Sequence, residues 1–190
     1  MTLKKKTIGI LGGGQLGKMT AIAAKKLGYH TFLYCPKGDN PAEYSVHEHI
    51  SGDWDDNKKL ELFGSKVDVI TSEFENIPAK TLDNLSKITK VYPSSFCFSI
   101  AQHRNKEKEM AAKSGFLVPK WYRIKSLEDL IKFSKILNHN CILKTNSLGY
   151  DRKVQINISS EINLKKIWTE INFNDCILEE KIDFDREVSI

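Results

Sequence analysis

The sequence lacks the features of several large classes of protein. Among its 190 residues no apolar run approaches the roughly 20 residues needed to cross a bilayer. The lysine-rich start is not followed by the apolar region and small-residue cleavage site of a secretory signal. Proline and glycine, at 5 and 11 residues, are not in excess, which excludes a fibrous or low-complexity chain. We therefore expect a globular protein without a membrane partner.

Cysteine is scarce and scattered. Its four positions, far apart in the sequence, fit neither a zinc knuckle, a redox motif nor a dense disulfide framework: Cys35, Cys97, Cys141 and Cys176. We interpret them as buried thiols in a reducing cytoplasm, which predicts a cytoplasmic protein. His47 and His49 have no cysteine nearby and are interpreted as surface loop residues, so no metal site is predicted within this chain.

Charge gives no indication of nucleic-acid binding. Lys and Arg number 29 against 24 for Asp and Glu, and the small excess is spread along the chain. What the sequence does have is 41% apolar and 28% charged residues, the composition of a packed globular protein. A length of 190 residues fits one large domain or two small ones.

The first hundred residues alternate between strand and helix patterns. A β run at 7–11 precedes three glycines, and apolar residues then recur at the period of an amphipathic helix, at Leu16, Met19, Ala23 and Leu27. Further strands are predicted at 31–35, 67–71 and 91–92, and helices at 58–63 and 79–86. The alternation predicts an α/β fold over residues 1–98, a Rossmann-like parallel sheet covered on both faces.

A different pattern follows a charged helix at 100–114. Gly115 and Pro119 mark its end, so we predict a linking helix at 99–116 and a second domain at 117–190. That domain is predicted to be a small α+β unit. One helix is predicted to be capped by Ser126, and a second is predicted at 160–171. The predicted strands lie at 121–124, 141–145, 154–158, 176–180 and 187–190.

The glycine segment 12–17 fits the pattern G-x-G-x-x-G between a strand and a helix. Backbone N–H groups at a helix N-terminus attract phosphate, so the segment predicts a ligand phosphate here. A dinucleotide site also needs a carboxylate at the end of the second strand. That strand ends in Tyr34, Cys35 and Pro36, which argues against NAD. A tight turn without a ligand is the alternative.

Three other segments carry polar side chains beside predicted strands. Glu73 and Glu75 follow the third strand, where they could meet a ribose hydroxyl or form a solvated loop. Lys144, beside the loop at 149–155, could clamp a phosphate or extend into solvent. The segment 176–182 combines two carboxylates and two exposed backbone amides with apolar residues, which suits adenine and ribose or a charged hairpin.

Taken together, these segments resemble the 5-(carboxyamino)imidazole ribonucleotide synthases, ATP-dependent purine-biosynthesis enzymes of the ATP-grasp superfamily. The matching segments occur in the family's order, at 14–19, 73–78, 143–145, 149–151, 155, 177–180 and 185–189. The resemblance implies a pre-ATP-grasp domain followed by the small ATP-grasp lobe, with the C-terminal lobe absent from this sequence.

The resemblance also implies roles for individual residues. Arg104 and Lys144 would contact the ATP phosphates, and Glu187 would bind the ribose hydroxyls. The loop that would fold over the phosphates consists of Gly149, Tyr150, Asp151, Arg152, Lys153, Val154 and Gln155. The adenine pocket would be lined by Glu179, Glu180, Lys181 and Ile182. Aminoimidazole ribonucleotide would be bound by Gln15, Leu16, Glu73 and Asn76.

The implied reaction joins bicarbonate to aminoimidazole ribonucleotide through carboxyphosphate, using ATP and Mg²⁺. In the family the magnesium-binding carboxylates lie in the C-terminal portion, and glycines stand where this sequence has Arg152 and Val154. We therefore expect no turnover by this chain alone, and the full-length protein could be a homodimer. The alternatives are a related purine-pathway or biotin-dependent carboxylase, a NAD-binding oxidoreductase module and a non-catalytic nucleotide-binding module.

Overall fold

The chain forms two compact units, residues 1–99 and 100–190. A computed structural model describes residues 6–147, 155–171, 175–186 and 188. The helix predicted to link two domains at 99–116 lies, from residue 100 onward, in the second unit. Across the described residues no helix has both the length and the apolar character that crossing a membrane requires.

The first unit contains a five-stranded sheet in which every pair of neighbours is parallel. The strands are β1 (Thr7–Leu11), β2 (His30–Cys35), β3 (Glu48–Ser51), β4 (Val69–Ser72) and β5 (Lys90–Val91). Their order is β3-β2-β1-β4-β5. The helices are α1 (Gln15–Lys26), α2 (Asn57–Ser65), α3 (Ala79–Ser86) and α4 (Ser95–Ala101). The predicted Rossmann-like sheet is therefore confirmed.

Both faces of this sheet are buried, as strand β2 shows. Phe32 and Tyr34 pack with residues of α2 and α3, whereas the alternate residues Leu33 and Cys35 pack on the other side with Ala21 of α1. Successive side chains of a strand point to opposite faces, so a sheet covered twice requires apolar residues at consecutive positions. This requirement explains the apolar run in the sequence of β2.

Helix α1 packs on the sheet through a different face from the predicted one. Its buried residues are Gly17, Ala21 and Ala24, and small side chains allow the helix to lie close to the sheet. Leu16 and Met19, each 58% exposed, belong to the stripe that the sequence predicted as the apolar face. The prediction of a helix was right, but the prediction of its packing face was wrong.

Several predicted boundaries also change. Strand β3 was not predicted, and it contains His49, which was interpreted as a loop residue. A single charged helix was predicted at 100–114, but this segment contains the end of α4, which stops at Ala101, and a separate helix α5 (Arg104–Lys113). The helix predicted at 160–171 begins only at Leu164. Strand β4 ends at Ser72, so Glu73 and Glu75 do not continue it.

The second unit contains a four-stranded antiparallel sheet with the order β6-β9-β7-β8. Its strands are β6 (Trp121–Ile124), β7 (Cys141–Thr145), β8 (Gln155–Ile158) and β9 (Cys176–Glu180). Its remaining helices are α6 (Leu127–Ile136), which Ser126 caps as predicted, and α7 (Leu164–Ile171). Of the strand predicted at 187–190, only residue 188 lies within the described residues. The small α+β unit is confirmed.

The two faces of the second sheet have different chemistry. Cys141 and Leu143 of β7 pack with Cys176 and Leu178 of β9 in a core that also contains residues of α6. The intervening residues Lys144 and Glu179 alternate with them and so project from the opposite face. The alternation of the strands therefore places two charged side chains on one sheet face.

The expectation that all four thiols are buried fails at one position. Cys97 is exposed on α4, whereas Cys35, Cys141 and Cys176 are buried. Burial raises the pKa of the Cys35 thiol to about 12, and the pKa of each of the other two buried thiols to about 11. The buried thiols are consequently protonated and unreactive at neutral pH.

Candidate functional site

Helix α5 is fixed at its first turn by the buried residue Asn146, which follows strand β7. The backbone N–H of Arg104 donates to the Asn146 carbonyl at 2.8 Å, and the N–H of Asn105 donates to its side-chain oxygen at 3.0 Å. The side-chain amide of Asn146 donates to Asp175 at 2.9 Å. Hydrogen bonds from Arg123 hold the pKa of Asp175 below its usual value, so this acceptor is ionised. The network sets where α5 begins.

The side chains of α5 line a cavity of about 310 Å³ in the second unit. Its wall on the helix follows the spacing i, i+3, i+4, i+7, which is one helical face. The cavity is lined by Arg104, Glu107, Lys108, Ala111, Val118, Lys144 and Glu179. Three cationic and two acidic side chains leave a net positive charge, which favours an anionic ligand.

At the centre of this charge cluster the Glu179 carboxylate contacts two ammonium groups. One oxygen contacts Nζ of Lys144 and the other contacts Nζ of Lys108. Lys144 pairs with Ile177 in the sheet register and Glu179 pairs with Ile142, so the two charged residues are diagonal neighbours on one face. Lys108 reaches the same carboxylate from helix α5.

Burial lowers the pKa of both Lys108 and Lys144, and the neighbouring charge of Arg104 lowers both further. For Lys108 the charge of Glu107 raises the pKa, because an opposite charge favours the ionised form of an amine. Arg104 itself is oriented by a hydrogen bond from Nε to the carbonyl of Thr145, at 3.1 Å. The fold therefore brings Arg104 and Lys144, the two residues predicted to contact phosphate, into one cavity.

The predicted adenine segment follows Glu179 along β9. Two backbone amides were expected to be exposed there, but the N–H of Glu180 donates to the Lys120 carbonyl at 2.8 Å. The N–H of Lys181 donates to the Asn140 carbonyl at 3.1 Å. The expectation of two exposed amides is therefore wrong, whereas residues Lys181 and Ile182 are themselves exposed.

The predicted phosphate loop is described only at its last residue. Gln155 is exposed, begins strand β8 and lies opposite Lys144 in the sheet register. The predicted site residues Gly149, Tyr150, Asp151, Arg152, Lys153, Val154 and Glu187 lie outside the described residues.

In the first unit the glycine loop surrounds a carboxylate of the chain itself. The N–H groups of Gly14 and Gly17 each donate to a different oxygen of Glu73, both at 2.6 Å. A Cβ at Gly12, where φ is +102°, would lie 2.5 Å from Cγ of Glu73, and one at Gly17 would lie 2.6 Å from the Gly12 carbonyl oxygen. The glycines thus make room for Glu73 beside the helix N-terminus.

This arrangement changes the interpretation of the G-x-G-x-x-G pattern. Two of the amides on which a phosphate site would depend are bound to Glu73. Gln15 and Leu16, the other predicted substrate residues, are the first residues of α1 and are exposed. Asn76 lies partly buried in the segment after β4. The predicted substrate residues Gln15, Leu16 and Glu73 therefore meet at the N-terminus of α1.

Across 6–147, 155–171, 175–186 and 188, no three His, Cys, Asp or Glu side chains are arranged to hold a metal ion.

Sequence reasoning missed two residues of the cavity region. Lys108 was noted only as one charge of a charged helix, although its spacing of four from Arg104 already placed both on one helix face. Asn146 carries no motif, and its role depends on contacts with residues 41 and 29 positions away.

Comparison with known proteins identifies the class of the chain. A family model described as ribonucleotide synthetase preATP-grasp domain matches residues 5–102, and an ATP-grasp domain model matches residues 109–190. The chain belongs to the ribonucleotide synthetase preATP-grasp family, with an ATP-grasp domain following. The resemblance inferred from the motifs is thereby confirmed.

Individual relatives agree with this class. The N5-carboxyaminoimidazole ribonucleotide synthase of Staphylococcus aureus (strain COL) is 38% identical over 184 residues, covering 97% of this chain and 49% of the relative. A crystal structure of an N5-carboxyaminoimidazole ribonucleotide synthetase with ADP has a TM-score of 0.90 and 35% identity, covering 97% of this chain and 50% of that one. The crystal structure of the S. aureus synthetase with ADP has a TM-score of 0.88 and 38% identity, covering 95% of this chain and 49% of that one. The chain thus spans about half the length of these relatives.

Proposed function

We propose that the chain is the N-terminal part of an ATP-dependent carbon–nitrogen ligase of purine biosynthesis. The ligase joins bicarbonate to aminoimidazole ribonucleotide through carboxyphosphate. The observation that carries the proposal is the cavity of the second unit, where Arg104, Lys108 and Lys144 converge from a helix and a strand. Relatives named for this synthase, two of them in structures with ADP, support the choice of nucleotide and reaction.

In this proposal the second unit binds ATP. Arg104 and Lys144 hold the phosphates, the loop 149–155 folds over them, and Glu187 binds the ribose. Phosphoryl transfer needs positioning and positive charge more than covalent help from the protein, which such a cluster provides. Because the amides of Glu180 and Lys181 donate within the chain, these two N–H groups do not serve the adenine edge in this proposal.

The first unit binds aminoimidazole ribonucleotide in the same proposal. Helix α1 begins at Gln15, and N–H groups of a first helical turn point outward and attract phosphate. Gly14 and Gly17 donate to Glu73, so the amides of Gln15 and Leu16 are the ones available to an anion. Glu73 and Asn76 complete the proposed substrate side.

Other parts of the proposal concern the rest of the ligase. In this proposal the protein ligands of the Mg²⁺ that accompanies ATP lie in the half of the relatives' length that this chain does not cover. Turnover requires residues beyond the half that matches the relatives. We place the ligase in the cytoplasm, as a homodimer when full length.

Calorimetric titration tests this function. The 190-residue chain should bind ATP and ADP more tightly than NADH, and Arg104→Ala and Lys144→Ala should each weaken ATP binding by about tenfold or more. Lys135→Ala, at an exposed lysine of the same unit, is the control and should match the parent chain. Preference for NADH, or unchanged ATP affinity in both cavity variants, would contradict the proposal. A carboxylation assay should detect no turnover by this chain alone.

A further inference from the structure

The least exposed charged group of the cavity is the one that touches both lysines. The Glu179 side chain is 7% exposed, against 17% for Lys108 and 18% for Lys144. Each of its oxygens has its own ammonium partner, Lys108 on Oε2 and Lys144 on Oε1. A buried carboxylate with one cation is balanced already, so a second cation on the other oxygen calls for a physical reason.

The reason follows from what a phosphate ligand does to Lys144. An ammonium that turns toward a phosphate gives up part of its contact with Glu179, and a buried carboxylate without a partner is strongly unfavourable. We propose, on the basis of the proposed nucleotide site, that Lys108 is a positioning residue. It retains the charge of Glu179 and thereby allows Lys144 to bind the ATP phosphates.

The positions of the two lysines in the fold suit these different roles. Lys108 lies one turn after Arg104 on α5, whose start is fixed through Asn146, so its ammonium reaches Glu179 from a helix. Lys144 shares a sheet face with Glu179 and stands near the end of β7, opposite Gln155, where the proposed phosphate loop ends. The two ammonium groups therefore reach Glu179 from different elements, Lys108 from a helix and Lys144 from a strand.

The crowding of cations supports the same division. Burial and the charge of Arg104 lower the pKa of both lysines, and Lys108 also lowers that of Lys144. A cavity in which cations destabilise one another gains most from an added anion. Glu107 and Glu179 supply two negative charges permanently, and the ligand adds its own.

Replacing Lys108 by methionine tests the proposal, because methionine is also unbranched but carries no charge. Calorimetry on the 190-residue chain should show ATP affinity reduced by about tenfold or more, because Glu179 then holds Lys144 alone. Adenosine, which has no phosphates, should bind within about twofold of the parent chain. Lys108→Arg should retain most ATP affinity, and Lys113→Met, at an exposed lysine of the same helix, is the matched control.

A double substitution separates this role from direct phosphate binding by Lys108. In the background Glu179→Gln the carboxylate is absent, so adding Lys108→Met should change the ratio of ATP to adenosine affinity by less than about twofold. A persistent tenfold loss in that background overturns the proposal, because Lys108 then acts on the ligand itself. Equal losses of ATP and adenosine affinity in Lys108→Met also overturn it, because that is the result of a general structural defect.

The outcome for the parent chain distinguishes this inference from the proposed function. If the parent chain binds no ATP, the nucleotide site fails and this inference fails with it. If the parent chain binds ATP and Lys108→Met binds it equally well, only the role of Lys108 is refuted. Circular dichroism and thermal unfolding of each variant identify a substitution that fails to fold, and Lys108→Gln, which also removes the charge, then replaces Lys108→Met in the comparison.

Discussion

Replacing Glu73 by glutamine tests whether an internal carboxylate organises the glycine loop of the first unit. The parent carboxylate accepts hydrogen bonds from Gly14 and Gly17, both at 2.6 Å, at the N-terminus of a helix of 12 residues. Glutamine has the same shape but only one oxygen acceptor, and its NH₂ group would face an N–H group. The substitution therefore removes the charge and one of the two bonds.

The size of the effect follows from these contacts. A hydrogen bond to a charged group contributes about 1.5–3 kcal/mol, and a negative charge at a helix N-terminus adds about 0.3–1 kcal/mol. Glu73 is partly exposed, so water replaces some of what is lost. We expect Glu73→Gln to lower the free energy of unfolding of the first unit by about 2–3 kcal/mol.

Trp54 reports on the first unit, because it packs against that unit's core. Urea unfolding should be followed by fluorescence in a background where Trp121 and Trp168 of the second unit are phenylalanine. Amide exchange measured by NMR should show faster exchange at Gly14 and Gly17. Glu61→Gln, at an exposed carboxylate of α2, is the control. A stability change below about 0.5 kcal/mol, with unchanged exchange at both glycines, would refute the assignment.

Three further predictions concern other contacts. Asn146→Ala should lower stability by about 1–3 kcal/mol in thermal unfolding and weaken ATP binding, because the N–H of Asn105 in the first turn of α5 loses its acceptor and Asp175 loses a donor. Gly17→Ala should cost about 1–3 kcal/mol in urea, since its Cβ would lie 2.6 Å from a carbonyl oxygen, whereas Gly38→Ala, in open space, should not. Burial raises the pKa of Tyr34 from 10.0 to about 12. The protonated phenol therefore contributes fully to the free energy of unfolding below pH 10, and this contribution is lost as the pH approaches 12. Tyr34→Phe should flatten this alkaline decline in a series of urea titrations.

The alternation of strands and helices could be predicted because it depends on local patterns. Helix α3 and strands β1, β6, β7 and β9 occur at the predicted residues, and Ser126 caps α6 through a hydrogen bond from the N–H of Asp129. Strand β3 was missed because its sequence, Glu-His-Ile-Ser, has one large apolar residue. At a sheet edge, pairing with β2 rather than side-chain burial defines the strand.

The packing face of α1 could not be read from its periodicity. The helix has two candidate stripes, one of large apolar residues that includes Leu16 and Met19 and one of small residues that includes Gly17 and Ala21. A hydrophobic pattern favours the first stripe. Close approach to the sheet requires the second, because Gly17 lies against the Gly12 carbonyl. The distance between helix and sheet determines which stripe is buried, and the hydrophobic pattern does not contain that distance.

In the candidate site, likewise, some residues could be predicted from motifs, whereas their contacts depend on the tertiary structure. Arg104 and Lys144 were predicted from motifs that resemble a family, and the structure places both in one cavity. The contact between Lys108 and Glu179 joins a helix to a strand 71 positions later, and no spacing in the sequence encodes it. Likewise, Glu73 was predicted to face a ligand, but its contacts with Gly14 and Gly17 depend on the register between β1 and β4.

Both candidate anion sites contain a carboxylate of the chain itself, and the difference between them is chemical. Uncompensated donors or cations clustered in a partly buried site are unfavourable, and Glu73 and Glu179 compensate them before any ligand arrives. Glu73 binds backbone amides that are fixed by the helix, so a ligand gains nothing by displacing it. Glu179 binds two flexible ammonium groups, so one can turn to a phosphate while the other remains. An internal carboxylate therefore occupies two amides of the first site permanently, whereas in the second site it leaves one ammonium group able to bind an anion.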